Sequence, residues 1–162
     1  MAKIYLAGPF FDEAGTELQR LEAVKAALAK NPTVDSVFSP KDEDLKSPIV
    51  SQLPFMSAAW QKAVFENDLR GLKETNVLLV ITDSASNTNG SDDGTAFEVG
   101  YWFAMNQLTA TTKQPIVLYA EQAAKLNLMI AQSADYYTTA INDLRTLDFN
   151  QIPQQPYQGV VN

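Results

Sequence analysis

A chain of 162 residues with 46% hydrophobic content can bury one core of ordinary size and is too short for two. It has no cysteine and no histidine, which removes disulfide frameworks, thiolate chemistry, Ser-His-Asp triads and imidazole metal sites together. A net charge of -7 leaves no basic surface to replace phosphate counterions, so a small molecule of low charge is expected as partner rather than a nucleic-acid polymer.

In chain order, residues 3–8 (KIYLAG) read as a buried strand broken at Gly8-Pro9, with Phe10 and Phe11 in the loop beyond. The opening has no charged n-region followed by a long apolar stretch, and no later run approaches a membrane span, so a cytoplasmic location is expected. Leu18, Leu21, Val24 and Leu28 give residues 12–30 helical periodicity, ended at Asn31-Pro32. A short strand comes next at 34–38.

Residues 41–56 (KDEDLKSPIVSQLPFM) have two prolines and no sustained period, and are read as an irregular lid or specificity loop. A helix is expected over 57–75, with Ser57 as N-cap. Its four-residue stripe reads Trp60, Val64, Asp68, Leu72, which sets an aspartate in an apolar row where a charge is costly unless paired or functional.

Residues 76–83 (NVLLVITD) are a near-continuous apolar strand of the kind buried on both faces. A polar loop, a helix over 93–108 and a second buried strand over 115–120 come after it. Residues 121–132 suggest another helix, 135–141 a fifth, edge strand, and 142–148 a helical turn. The tail, 149–162, is rich in Pro and Gln and is expected to drape over a surface.

This alternation predicts a single α/β domain: a parallel sheet of about five strands, right-handed crossovers and helices on both faces. Ligands of such folds bind outside the carboxyl ends of the strands, where residues 8–11, 84–94 and 121–129 fall. No GxGxxG or GxxxxGK[ST] phosphate cradle occurs, and no frame of NTNGSDDG fits a calcium loop, so neither a nucleotide cofactor nor a metal is expected. Asn89-Gly90-Ser91 is a glycosylation sequon without a secretory route.

Asp92 and Glu98 flank the start of the helix over 93–108. Taken alone, an aspartate there is ordinarily an N-cap and a helix glutamate is ordinarily solvated. Glu98, however, sits within the apolar run AFEVGYW, and the positive end of a helix favours its ionised form. An ionised, partly desolvated carboxylate suits attack on an anomeric carbon, while a second acid, Asp68 or Asp92, held neutral by apolar surroundings or a like charge, suits protonation of the leaving group. Asp68 reads equally well as a structural acid bonded to nearby backbone. Tyr5 is a half-buried strand aromatic or an orienting hydroxyl for Glu98; Phe10 either packs its loop or stacks on a planar ligand. Asn127 and Met129 look like one turn of an ordinary amphipathic helix.

The segments IYLAGPF from Ile4, FENDLRGL from Phe65, DDGTAFEVGY from Asp92 and NLM from Asn127 together resemble the nucleoside 2-deoxyribosyltransferases, somewhat closer to the purine-preferring branch. They span nearly the whole chain in the family's order. The resemblance implies a flavodoxin-like sheet and double-displacement transfer of 2'-deoxyribose from a deoxyribonucleoside to a free nucleobase, without a cofactor. It makes Glu98 the nucleophile, Asp92 the proton donor and acceptor, Asp68 a residue that holds or helps protonate base and sugar, Tyr5 the orienter of Glu98, and Phe10, beside Gly8, a base-stacking aromatic. Asn127 and Met129 would reach a neighbouring subunit's site in a homo-oligomer built on dimers, with a dimer and a hexamer both open. Related chains often end in Tyr near the active site, whereas this one ends GVVN, with Tyr157 a few residues earlier. Two displacements predict retention at C1' and carboxyls about 5 Å apart. Two rival readings are an N-glycosidase that delivers the sugar to water and a non-catalytic nucleoside-binding module.

Overall fold

The computed structural model describes residues 1–10, 15–82, 92–108, 112–122 and 125–162. Phe11 and most of the polar loop, including the sequon at 89–91, lie outside the described residues. Five strands, β1 (Ala2–Ala7), β2 (Val34–Phe38), β3 (Val77–Ile81), β4 (Ile116–Tyr119) and β5 (Tyr136–Thr138), form one sheet in the order β2-β1-β3-β4-β5. Every neighbouring pair is parallel. This is the flavodoxin-like order, and it reverses direction between β1 and β3, opening a crevice at their carboxyl ends.

The central strands are buried on both faces, and their side chains alternate between two cores. Ile4, Leu6, Val77, Leu79, Ile81, Val117 and Tyr119 meet α1 (Thr16–Leu28) and α6 (Asp143–Thr146) through Leu21, Val24, Leu28 and Leu144. Tyr5, Ala7, Leu78, Val80, Ile116 and Leu118 meet Leu72 of α3 (Ala58–Glu74), Val99 and Trp102 of α4 (Asp93–Leu108), and Ile130 of α5 (Leu128–Ser133). Strands buried on both faces are what a near-continuous apolar run specifies. No described helix is long and apolar enough to cross a membrane.

Two element expectations need correction. Residues 41–56 contain a helix, α2 (Pro40–Lys46), and a 3-10 turn at Val50–Gln52. The signal lay in Ser39-Pro40-Lys-Asp-Glu: proline is pre-set for the first helical position, and Asp42 and Glu43 complement the helix start. The helix expected over 121–132 shrinks to α5. Leu126 forms a strand-like bridge with Val161, and Asn127 caps the helix that begins at Leu128, its Oδ1 accepting from Met129 N at 2.9 Å. The Ser57 cap forms as expected, accepting from Trp60 N at 3.2 Å.

Candidate active site

The crevice at the carboxyl ends of β1 and β3 holds a cavity of about 540 Å³, within the size range of small-molecule sites. Gly8, Phe10, Asp68, Asp92 and Glu98 all line it. Each arrives by a different route. Gly8 ends β1 where a Cβ would sit 2.9 Å from Ile81 Cβ, so only glycine lets the chain turn this close to β3. Phe10 packs partly into the α1-side core. Asp68 extends the stripe of α3 that Trp60 and Val64 begin, and both of these share the cavity wall. Asp92 and Glu98 come from the start of α4.

Tyr5 lies beneath, fully buried, and its hydroxyl donates to Glu98 Oε1 at 2.5 Å. Burial, and then the charges of Glu98 and Asp68, push the Tyr5 phenol far above its usual value, so it stays protonated and serves as a donor. Burial also pushes the Glu98 carboxyl up to about 8; the Tyr5 hydrogen bond works against that rise, and Asp68 and Asp92 add to it. Asp68 is pushed up to about 7, by burial and then by Asp44. The helix start alone predicts an ionised Glu98. The residue lies in the second turn of α4, where dipole assistance has faded, and desolvation prevails. Both acids therefore rise instead of being driven apart.

The two aspartates differ in geometry. Asp92 caps α4: its Oδ1 accepts from Thr95 N at 2.7 Å, and its backbone carbonyl from Ala96 N at 3.0 Å. Asp68 Oδ1 is buried with no hydrogen-bond partner among the described residues, as is the Thr95 hydroxyl. Asp135 is the opposite case. That acid, at the amino ends of the strands, is saturated by Ile116 N, Lys113 and Gln154, as a structural carboxylate must be.

Asn127 and Met129 are not in this cavity. They line a second one, about 360 Å³, on the other side of α4 with Asp93, Ala96, Gly100 and Phe103. Asn127 is exposed, and Met129 is 76% exposed. Tyr157 is also elsewhere, edge-on to Tyr137 and donating to Val160 O at 2.9 Å.

Sequence reasoning missed Asp44, whose Oδ1 accepts from Asn67 Nδ2 at 2.8 Å while its carboxyl faces the cavity. Burial raises its pKa, and that hydrogen bond opposes the rise. Lys41, Ser51, Leu53 and Phe55 join it from the stretch expected to be a lid or specificity loop. Recognising α2 would have found Lys41 and Asp44, since a helix there turns them and Leu45 to one side. Among the described residues, no group of three or more His, Cys, Asp or Glu is arranged to hold a metal.

Residues 4–141 match the family model described as Nucleoside 2-deoxyribosyltransferase. A nucleoside deoxyribosyltransferase of Limosilactobacillus fermentum is 30% identical over 165 residues, covering 96% of this chain and 90% of that protein. One of Lactobacillus johnsonii is 27% identical over 150 residues, covering 90% and 95%. The solved 2-deoxyribosyltransferase of Bacillus psychrosaccharolyticus superposes with a TM-score of 0.74 at 31% identity, covering 96% of this chain and 99% of that one. An Enterococcus faecalis protein at 19% identity and a TM-score of 0.63 shares the fold. With a family model across most of its length and a relative at this identity over nearly all of it, the chain belongs to the nucleoside 2-deoxyribosyltransferase family, whose members are pentosyl-transferring enzymes.

Proposed function

We propose that this protein passes 2'-deoxyribose between nucleobases by double displacement on Glu98. The observation that carries the reading is the Tyr5–Glu98 hydrogen bond of 2.5 Å at a cavity wall that also bears Asp68 and Asp92. Glu98 attacks C1', the C1'–N bond breaks, and its electron pair goes to the base nitrogen, which takes a proton from an acid. The sugar is then an ester of Glu98. The nitrogen of an acceptor base attacks C1', the ester bond breaks, and the proton of that nitrogen returns to the acid.

Asp68 is the better candidate for that acid. It is raised to about 7 and one of its oxygens has no hydrogen-bond partner among the described residues, whereas one oxygen of Asp92 is committed to the helix start. Glu98 and Asp68 then compete for a single proton, and the productive arrangement leaves it on Asp68. Tyr5 favours that arrangement, because its hydrogen bond stabilises the charged form of Glu98. Phe10, Phe55 and Trp60 give the cavity flat apolar walls suited to a bicyclic base, which supports a purine preference.

Asn127 and Met129 fit a site completed by a second copy of the chain in a homo-oligomer. They adjoin an uncovered apolar surface on which Phe97 and Phe103 are 52% and 41% exposed, and Phe65 of α3 lies 6.1 Å from Phe97. A patch of this kind on α4, whose other side faces the catalytic cavity, suits an isologous contact.

The test is incubation with deoxyinosine and free adenine. Deoxyadenosine is the expected product, and Glu98→Ala is expected to lose turnover by at least about 10³-fold while still binding nucleoside. No exchange with any base pair, or substantial exchange by the alanine variant, overturns the reading. Release of free deoxyribose faster than exchange would identify a hydrolase.

A further inference from the structure

Tyr5 and Phe38 face each other directly in the parallel register of β1 and β2. Their rings are stacked, with centroids 5.3 Å apart and planes at 11°. Phe38 is the last residue of an edge strand, a place where an aromatic side chain has room to swing. Two residues of α3 restrain it. Gly71 lies so close that an added Cβ would sit 2.5 to 2.7 Å from the ring carbons. The Arg70 guanidinium lies over the ring, 5.6 Å from its centre. Arg70 is in turn anchored by Glu74 at 2.8 Å and by Asn67 Oδ1 at 2.6 Å.

We infer that Phe38, seated against Gly71 and under Arg70, is a positioning residue that holds the Tyr5 ring by stacking and so keeps the Tyr5 hydroxyl on Glu98. The inference rests on the role proposed for Glu98. A phenol reaches its partner through a rigid ring, so a small tilt of the ring plane is carried to the hydroxyl and lengthens a bond of 2.5 Å. Stacking on a second ring that cannot itself move resists that tilt better than an aliphatic contact does. Glycine at 71 is then required by the ring, since any side chain there drives Phe38 aside.

The consequence is electrostatic. Among the described residues, Glu98 is faced by Tyr5 from β1, Asp68 from α3 and Asp92 ahead of α4, with Asp44 and Lys41 of α2 on the same cavity. Arg70 faces Phe38, not Glu98, and is paired with Glu74. Of the groups acting on Glu98, the Tyr5 hydroxyl is the one that favours its charged form. Loosening it leaves burial and the neighbouring acids unopposed.

The test tracks the Glu98 carboxyl by carbon NMR of glutamate-labelled protein across the pH range, in wild type, Phe38→Leu, Tyr5→Phe and the double variant. No turnover is needed, so the result stands apart from whether Glu98 proves to be the nucleophile. Phe38→Leu is expected to raise the Glu98 midpoint by about one pH unit, as is Tyr5→Phe, and the double variant is expected to show no more than Tyr5→Phe alone. An unchanged midpoint in Phe38→Leu, or a double variant in which the two shifts add, overturns the inference. Gly71→Ala keeps Phe38 but displaces its ring, and should shift the midpoint in the same direction; a wild-type midpoint there also overturns it.

Discussion

Tyr5 and Glu98 are 93 positions apart in sequence, and the 2.5 Å bond between them links the floor of the sheet to the wall of the cavity. With Asp68 at about 7 and Glu98 at about 8, the pair carries two protons below this range and none above it. If Glu98 attacks and Asp68 protonates the departing base, as proposed, only the one-proton state works. The kcat/KM for exchange is therefore expected to trace a bell with its maximum between about pH 7 and about pH 8. Replacing Asp68 by Asn removes the acid and a neighbouring negative charge. Exchange is expected to fall by about 10² to 10⁴-fold, with the alkaline limb lost and the acid limb moved to lower pH. A bell left in place by Asp68→Asn would assign the proton to Asp92. That Glu98 and Asp68 stand out was legible in the sequence because each interrupts an apolar pattern, and both line one cavity. Their protonation was not, since it depends on desolvation and on Asp44, a neighbour supplied by a short helix between prolines whose pattern resembles loop.

At the level of elements, Asp92 both caps α4 and lines the cavity that holds Glu98. Asp92 ends the polar loop by capping the helix, with Oδ1 on Thr95 N at 2.7 Å. Asparagine caps about as well as aspartate, whereas alanine costs about 1 kcal/mol. Asp92→Asn should therefore melt with wild type, and Asp92→Ala about 2–4 °C lower, in a thermal scan. Activity of the Asn variant then reports what the charge contributes apart from the cap. Strand positions were readable from composition alone, since VLLVI and IVLY have no charged residue to place outside. The extent of α5 was not, because its start is set by contact with the tail at Val161, and no local pattern encodes a partner over thirty residues away.

For the whole molecule, the cavity bearing Glu98 and the cavity bearing Asn127 lie on opposite sides of α4, so one chain does not present all the expected residues to one substrate. If a second copy completes the site, Phe103→Glu should yield monomers by size-exclusion chromatography and lose most exchange activity. Mixing inactive Glu98→Ala with inactive Asn127→Ala should restore roughly a quarter of wild-type activity, from mixed dimers with one intact site. No recovery on mixing, or a fully active monomer, rules this out.

The tail has a further effect at this scale. Gln155 donates its N–H to Asp135 O at 2.9 Å and accepts from Tyr137 N at 2.8 Å, so the outer edge of β5 is already occupied by the chain itself. The opposite edge, β2, presents exposed Asp35 and Ser36. One margin is thus sealed by backbone pairing and the other blunted by a charge, which disfavours growth of the sheet by strand addition from a neighbouring molecule. Any contact between copies is thereby better made through a helix face than through a sheet edge.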